Sequence, residues 1–316
     1  MSSEIATEIA PCDLCGACEW KTLFIASDRR HRKPGEFGVS QCLHCGHLQT
    51  NPRPSHESMR AFYPDDYSAH SISCHRVLRS QRDILLLDKA QCLGFIGKMM
   101  LPIATYRFRQ IVPLGLKVSK GTLLEIGCGT GWFLGLAKAM GWRAIGIDIS
   151  QTACHKAASM WGVWAICSQD FPLPFKSGSF RLVVMHHVLE HLTSPRRALS
   201  EVYRVLQDGG WVAIEVPNAN SLGRRIFGPC WDSWELPRHL HHFTPKTLRR
   251  FLEIAGFQNI RISNCAYKPF VLSTFWLPRR SLSAVPLKLL LGLPTWAFLP
   301  LLVFRQQGEM LRAWGQ

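Results

Sequence analysis

The stretch Leu123–Ser150, LLEIGCGTGWFLGLAKAMGWRAIGIDIS, decides the fold. Leu123 to Ile126 is an apolar run that reads as a buried parallel strand. It runs into Glu125-Ile126-Gly127-Cys128-Gly129-Thr130-Gly131, a turn too rich in glycine for the inside of a helix or strand. Helical spacing resumes from Trp132 to Met140, and Gly141 stops it. A second strand, Arg143 to Ile147, delivers Asp148 at its C-terminal end. The pattern is a βαβ unit with glycines at the end of the first strand and a carboxylate at the end of the second. Ligands of open α/β sheets bind in that crevice. The glycines let backbone approach a ligand closely, and Asp148 can accept hydrogen bonds from two ribose hydroxyls.

A dinucleotide fingerprint, G-x-G-x-x-G, holds a pyrophosphate at a helix N-terminus. Here the order is Glu-x-Gly-x-Gly-x-Gly, with Glu125 ahead of Gly127, Gly129 and Gly131. This resembles motif I of the class I S-adenosylmethionine (SAM) methyltransferases. The resemblance implies an α/β, Rossmann-like fold with a mostly parallel seven-stranded sheet and SAM as cofactor. It implies that Glu125 orients the loop or meets the cofactor's amino end, and that Asp148 and Ile149 line the same site.

Further motifs follow in family order. Gly162 to Cys167 reads as the third strand. Gln169 and Asp170 lie just past it, where the family meets the adenine amino group, so Asp170 is an expected cofactor contact. PLPFKSGSFRLVVMHHVLEHL resembles the family's LPFPDGSFD, strand and VLEHL. Arg181 departs from it, standing where an Asp usually stabilises the turn before strand four. Val202 to Gly210 reads as a helix and a Gly-Gly turn, and WVAIEVPN as strand five.

His186, His187, Glu190 and His191 follow strand four at the ligand edge of the sheet. One reading is a metal or general-base cluster, as a Glu-His pair serves in some quinone O-methyltransferases. The other is structural, with Glu190 and His191 capping and orienting the loop around the cofactor. His186 counts here as a cofactor contact, and His187 and Glu190 as catalytic candidates.

Length and composition frame the rest. The 316 residues hold one α/β domain plus a smaller module, and 47% hydrophobic content supports a real core. There are 12 cysteines and no signal-like start, which points to reduced thiols and metal binding. The formal charge of +15 is uneven: residues 1–120 carry +5, 121–220 carry +1 and 221–316 carry +9. The basic C-terminal part favours anionic partners: nucleic acid, anionic lipid or a phosphorylated substrate.

Cys12-x-x-Cys15 and Cys42-x-x-Cys45 are separated by 26 residues, and each pair is followed by a glycine. Four thiolates around one tetrahedral ion make a closed, structural zinc site. Cys18, His44 and His47 are rival ligands that break the paired pattern. Asn51-Pro52-Arg53-Pro54 is extended, and Ser55 caps a short helix reaching Phe62. The run from Cys12 to Tyr67 resembles the zinc-ribbon-like N-terminal region of bacterial methyltransferases acting on sugars or in polysaccharide gene clusters. There a similar module helps close the substrate site, so Tyr63 and Tyr67 either face substrate or pack the module onto the fold.

The domain boundaries expected are 1–67 for the zinc module, 68–119 for a helical linker and 120–266 for the SAM domain. An apolar insertion at 267–304 and a final antiparallel strand at 305–316 complete the chain. After strand five, Thr244 caps a helix with Pro245 at its first position, and Gly256 closes it. Upstream lies Arg238-His239-Leu240-His241-His242, with Trp231 and Trp234 before it. Imidazole suits a general base, tryptophan a sugar face and arginine a phosphate. Similar enzymes carry Pro-Arg-His-Leu here, which makes His239 the substrate-proximal candidate. The competing reading is that these histidines tie the loop to the sheet.

Phe257 to Cys265 reads as strand six. Leu289 to Phe304 is uncharged, and 16 residues at about 1.5 Å each fall short of the roughly 30 Å hydrocarbon core. Flanked by Arg279, Arg280, Lys288 and Arg305, it reads as an interfacial helical hairpin, an acyl tunnel or a packed lid. The expectation is a SAM-dependent methyltransferase of a sugar nucleotide or lipid-linked glycan, cytoplasmic or peripheral at the inner face of the membrane. The alternatives are a zinc-containing rRNA methyltransferase acting on nucleic acid, a quinone-like O-methyltransferase and a non-catalytic SAM-binding protein.

Overall fold

The computed structural model describes residues 5–63, 120–168, 171–265 and 308–316. The expected linker, the apolar insertion, Tyr67, Gln169 and Asp170 lie outside the described residues. The N-terminal module holds β1 (Thr7–Glu8), β2 (Trp20–Ala26), β3 (Phe37–Cys42), β4 (Leu48–Thr50), β5 (Arg53–Pro54) and the short helix α1 (His56–Met59). The Ser55 hydroxyl accepts from the Ser58 amide at the start of α1, as the capping pattern requires. One 3-10 turn, Arg60–Phe62, follows.

The α/β part runs β6 (Thr122–Ile126), α2 (Trp132–Ala139), β7 (Arg143–Asp148), α3 (Gln151–Trp161), β8 (Trp164–Cys167) and β9 (Phe180–His186). It continues with α4 (Pro195–Val205), β10 (Leu206–Pro217), α5 (Leu222–Phe227), β11 (His241–His242), α6 (Pro245–Ile254), β12 (Arg261–Cys265) and β13 (Met310–Gly315). The central sheet has seven strands in the order β12-β13-β10-β9-β6-β7-β8. β8, β7, β6, β9 and β10 are parallel neighbours, and β13 is antiparallel to both β10 and β12.

Strand alternation explains the layers. Leu124, Ile126, Val183 and Met185 point to one face, where α4 and α6 bury Leu199, Val202, Leu248 and Phe251. Leu123, Leu182 and Val184 point to the other, against Phe133, Leu134 and Leu136 of α2 and Ala157 of α3. Strands covered on both sides read as unbroken apolar runs, which is why β6 was legible. The α6 cap is the expected one: Thr244 and Thr247 exchange side-chain and backbone hydrogen bonds, with Pro245 next.

Three local expectations change. The helix before strand five ends at Val205, and Gly209 and Gly210 lie inside β10, where its register with β9 shifts between Leu206 and Trp211. The glycines therefore form an irregularity in a strand rather than a turn. β12 begins at Arg261, because Phe257 still bonds back to α6 and Asn259 turns with φ +47°. Arg181 does not replace the family's turn-stabilising Asp. Arg204 does that work, donating to the carbonyls of Leu173 and Phe175 while paired with Glu201.

The N-terminal module is not a separate bead. β11, from the far side of β10 in sequence, pairs with β4 and completes a four-stranded sheet, β11-β4-β3-β2. Phe37, Val39, Leu48 and Phe62 of the module share one core with Phe227, Trp231, Trp234 and Leu236.

Candidate active site

On the cofactor side, geometry follows the sequence closely. The amides of Gly127 and Cys128 donate to the Ile147 carbonyl at 2.7 and 3.0 Å, folding the turn over the end of β7. Gly127 and Gly131 take φ +70° and +75°, and a Cβ on either would strike Val188 or Ala157. Asp148 accepts from the Gly129 amide at 2.8 Å through one oxygen and from Ser150 at 2.9 Å through the other. A carboxylate oxygen can accept more than one hydrogen bond, so Asp148 is the type of group that would meet ligand hydroxyls here. Ile149 leaves half its side chain exposed beside it.

Glu125 is buried, and burial, then the charge of Asp148, push its carboxyl well above the ordinary carboxylate range. Its Oε2 has no hydrogen-bond partner. An orphaned carboxyl oxygen under a glycine turn, next to a ribose-type acceptor, fits the amino end and ribose of SAM. Bound there, SAM supplies an electrophilic methyl group.

The end of β9 places a polar cluster beside this turn. His186 lies against Trp132 of α2, with ring centroids 5.9 Å apart, and 3.7 Å from Glu215. Burial holds it down to about 4, so it is neutral at pH 7. His187 has φ +53° and reaches two carboxylates, Glu190 at 3.2 Å and Glu215 at 3.5 Å. Glu215 is held in turn by Arg312 at 2.6 Å. Burial pushes both carboxyls up, but the His187 hydrogen bond and the charges of the surrounding histidines, with Arg312 beside Glu215, outweigh it, and both end below the usual range. Glu215 and Arg312 escaped the sequence reading. The signal was there: a carboxylate inside the apolar run WVAIEVPN needs a buried partner.

His239 comes to the same edge, but as a buried residue. Its Nδ1 donates to the Ser233 carbonyl at 2.9 Å, and its ring meets His191 edge-on at 4.7 Å. Burial, then the charge of His191, hold it down to about 4. Tyr63 of the module lies 3.1 Å from His191 Nδ1, bringing the N-terminal region to the cluster.

Other neighbours of His239 are corrected by the structure. Trp231 and Trp234 are buried edge-to-face at 5.1 Å, with their indole N–H groups given to Glu309 and the Gly228 carbonyl. They are core, not a sugar platform. Arg238 is fully buried and grips Asp28 with two hydrogen bonds, 2.9 and 3.0 Å, while also meeting Glu235. It is an internal strut, not a phosphate ligand. His241 pairs with His47 at 3.0 Å, and His242 with Thr50 at 3.1 Å.

Cys12, Cys15, Cys42 and Cys45 gather their sulfurs within 4.8 Å of one another. Cys12 lies 3.5 Å from Cys45 and Cys15 3.6 Å from Cys42. A tetrahedral ion with metal–sulfur bonds of about 2.3 Å sets sulfurs about 3.8 Å apart, so the set can hold one. The amides of Leu14 and Cys15 face Cys12, and those of His44 and Cys45 face Cys42. Gly16 and Gly46 make this possible by turning with φ +80° and +75°. The rivals fall away: the cluster that gathers leaves out Cys18 and His44, and His47 is turned to His241. Between the first two cysteines, Asp13 caps α4 by accepting from Ser194 and the Arg196 amide.

Fold and site together define an enzyme built around a SAM-type crevice. The model of the methyltransferase domain family matches residues 103–262. The chain belongs to that family and is a SAM-dependent methyltransferase. It is 30% identical over 159 residues to an uncharacterized protein of Methanocaldococcus jannaschii, covering 50% of this chain and 75% of that one. It is 33% identical over 137 residues to a probable SAM-dependent methyltransferase of Mycolicibacterium smegmatis, covering 43% and 51%. The chain thus spans about half the length of that second relative. A demethylmenaquinone methyltransferase of Staphylococcus aureus is 30% identical over 182 residues, covering 49% and 76%. Among solved structures, a Thermotoga maritima SAM-dependent methyltransferase, described as a possible histamine N-methyltransferase, is 18% identical. It covers 70% of this chain and 95% of its own, with a TM-score of 0.47.

Proposed function

We propose that this enzyme methylates a hydroxyl-rich acceptor, a sugar nucleotide or glycan precursor, at the edge where the N-terminal module meets the sheet. One observation supports the reading: the side chains converging there are His187, Glu190, His191, His239 and Tyr63, imidazoles, a carboxylate and a phenol rather than aliphatic groups. Polar groups fixed in this way suit an acceptor that presents several oxygens. The enzyme's task is to align the nucleophile with the methyl carbon and remove a proton. His187 is the better placed base, because a third of its side chain is exposed while His239 is buried.

The four cysteines, in this reading, hold one structural zinc. Metal analysis of untagged protein should show one zinc equivalent that depends on these cysteines, and Cys42→Ser should lose it. A relative named as a quinone methyltransferase supports a second reading, an apolar aromatic acceptor. No helix among the described residues is long and apolar enough to cross a membrane. Peripheral contact through the insertion at 267–304 stays part of the proposal, as does the weaker alternative of nucleic acid. Incubation with methyl-labelled SAM, a panel of sugar nucleotides and a demethylated quinone tests the acceptor. Label in a sugar nucleotide or lipid-linked glycan fraction supports the first reading, and label only in the quinone overturns it.

A further inference from the structure

We propose that Glu190, His191 and His239 form a divalent-metal site of their own, separate from the cysteine knuckles. His239 Nδ1 lies 2.9 Å from the Ser233 carbonyl and His191 Nδ1 lies 3.1 Å from the Arg238 carbonyl. A carbonyl oxygen only accepts, so each Nδ1 is the donor there and Nε2 is the nitrogen left to meet a ligand, with His239 Nε2 3.8 Å from Glu235 Oε2. The Tyr63 oxygen shares the His191 N–H at 3.1 Å. Glu190 spends Oε1 on His187, while its Oε2 is buried with no hydrogen-bond partner.

Ligand atoms from the three residues lie within 4.8 Å of one another. Two imidazoles and a carboxylate therefore converge on one point. A buried carboxylate oxygen left without a partner is costly, and a cation bound between Glu190 and the two imidazoles would meet it. Two imidazoles and one carboxylate suit zinc, manganese, iron(II) or cobalt(II). Metal-binding histidines characteristically give the other N–H to a backbone carbonyl, as both do here. An ion about 2.0–2.2 Å from each ligand would draw the three inward. Three protein ligands leave a position for water or an acceptor oxygen. The proposal does not rest on the choice of acceptor.

Cobalt(II) titration of the full-length protein tests it, because nitrogen/oxygen and thiolate sites differ in their visible spectra. The expected result is one equivalent with a nitrogen/oxygen spectrum, distinct from any thiolate-bound cobalt, which Cys42→Ser leaves intact. His239→Asn, which keeps a donor for the Ser233 carbonyl, and Glu190→Gln should each weaken that equivalent at least about 100-fold. Anomalous scattering at the cobalt edge in wild-type crystals locates the ion without any variant to fold. Absence of a nitrogen/oxygen equivalent in the wild type, absence of an anomalous peak between Glu190, His191 and His239, or unchanged affinity in folded His239→Asn would each overturn the proposal.

Discussion

The glycine-turn half and the histidine-loop half of the active site are built in opposite ways. In the first, partners are close in sequence: Gly129 and Asp148 are 19 residues apart. In the second they are remote, with His47 and His241 separated by 194 residues and Asp28 and Arg238 by 210. The first half exists wherever one βαβ unit folds. The second exists only after the N-terminal module has docked and β11 has joined its sheet. Local encoding gives the cofactor side a geometry independent of the rest, and long-range encoding makes the acceptor side depend on assembly.

Acid should separate the halves most strongly. His239, His241 and His242 are all neutral in the fold, held down chiefly by burial. With His239 at about 4, the unfolded chain binds a proton that the folded one refuses between roughly pH 6.5 and 4. Stability is full above about pH 6.5 and falls as the pH drops, by on the order of 3 kcal/mol for His239 alone. Glu125 on the cofactor side has the opposite sign: its raised carboxyl stabilises at low pH and loses that contribution as the pH rises. Denaturant unfolding across pH 4–8 should show the acid loss. A flat profile would mean that the histidine loop does not depend on its neutral rings.

Arg238→Ala should cost about 3–5 kcal/mol, because it leaves Asp28 charged and buried. Replacing both partners by apolar residues, Arg238→Met with Asp28→Leu, should cost much less. Equal losses in the single and double variants would show that the strut's shape, not its charge, holds the halves together.

Asp148→Ala should weaken SAM binding by about 10- to 100-fold, the cost of charged hydrogen bonds worth roughly 1.5–3 kcal/mol. The melting temperature should move little, since the core on either side of β7 is untouched. Calorimetry showing wild-type affinity would break the cofactor assignment. The smallest effect belongs to Thr244→Ala, which removes a helix cap and should cost about 1 kcal/mol in denaturant unfolding. A larger loss would show that α6 transmits strain to β11, only two residues before it.

How much was legible differs along the same line. Apolar runs, glycines at strand ends and capping residues act through neighbours in the chain, so β6, β7, α2, the α6 cap and the place of Asp148 could be read directly. The cysteine pairs were legible because their spacing and trailing glycines are local too. The Gly209-Gly210 irregularity misled, because glycine marks both a turn and a bulge, and only pairing with β9 distinguishes them.

The sequence by itself determined the sheet's buried strands, the glycine turn with its two acids, and which sulfurs would gather. Tertiary structure alone decided what the chemistry-bearing residues after β10 do. Trp231, Trp234 and Arg238 look like a substrate surface in sequence and are interior, since burial is set by the module packed over them. His239 is polar in the chain and neutral in the fold, for its proton affinity is fixed by desolvation and by His191, neither of which a sequence states. Side-chain identity is a local property, while dielectric, partner and exposure belong to the whole assembled chain.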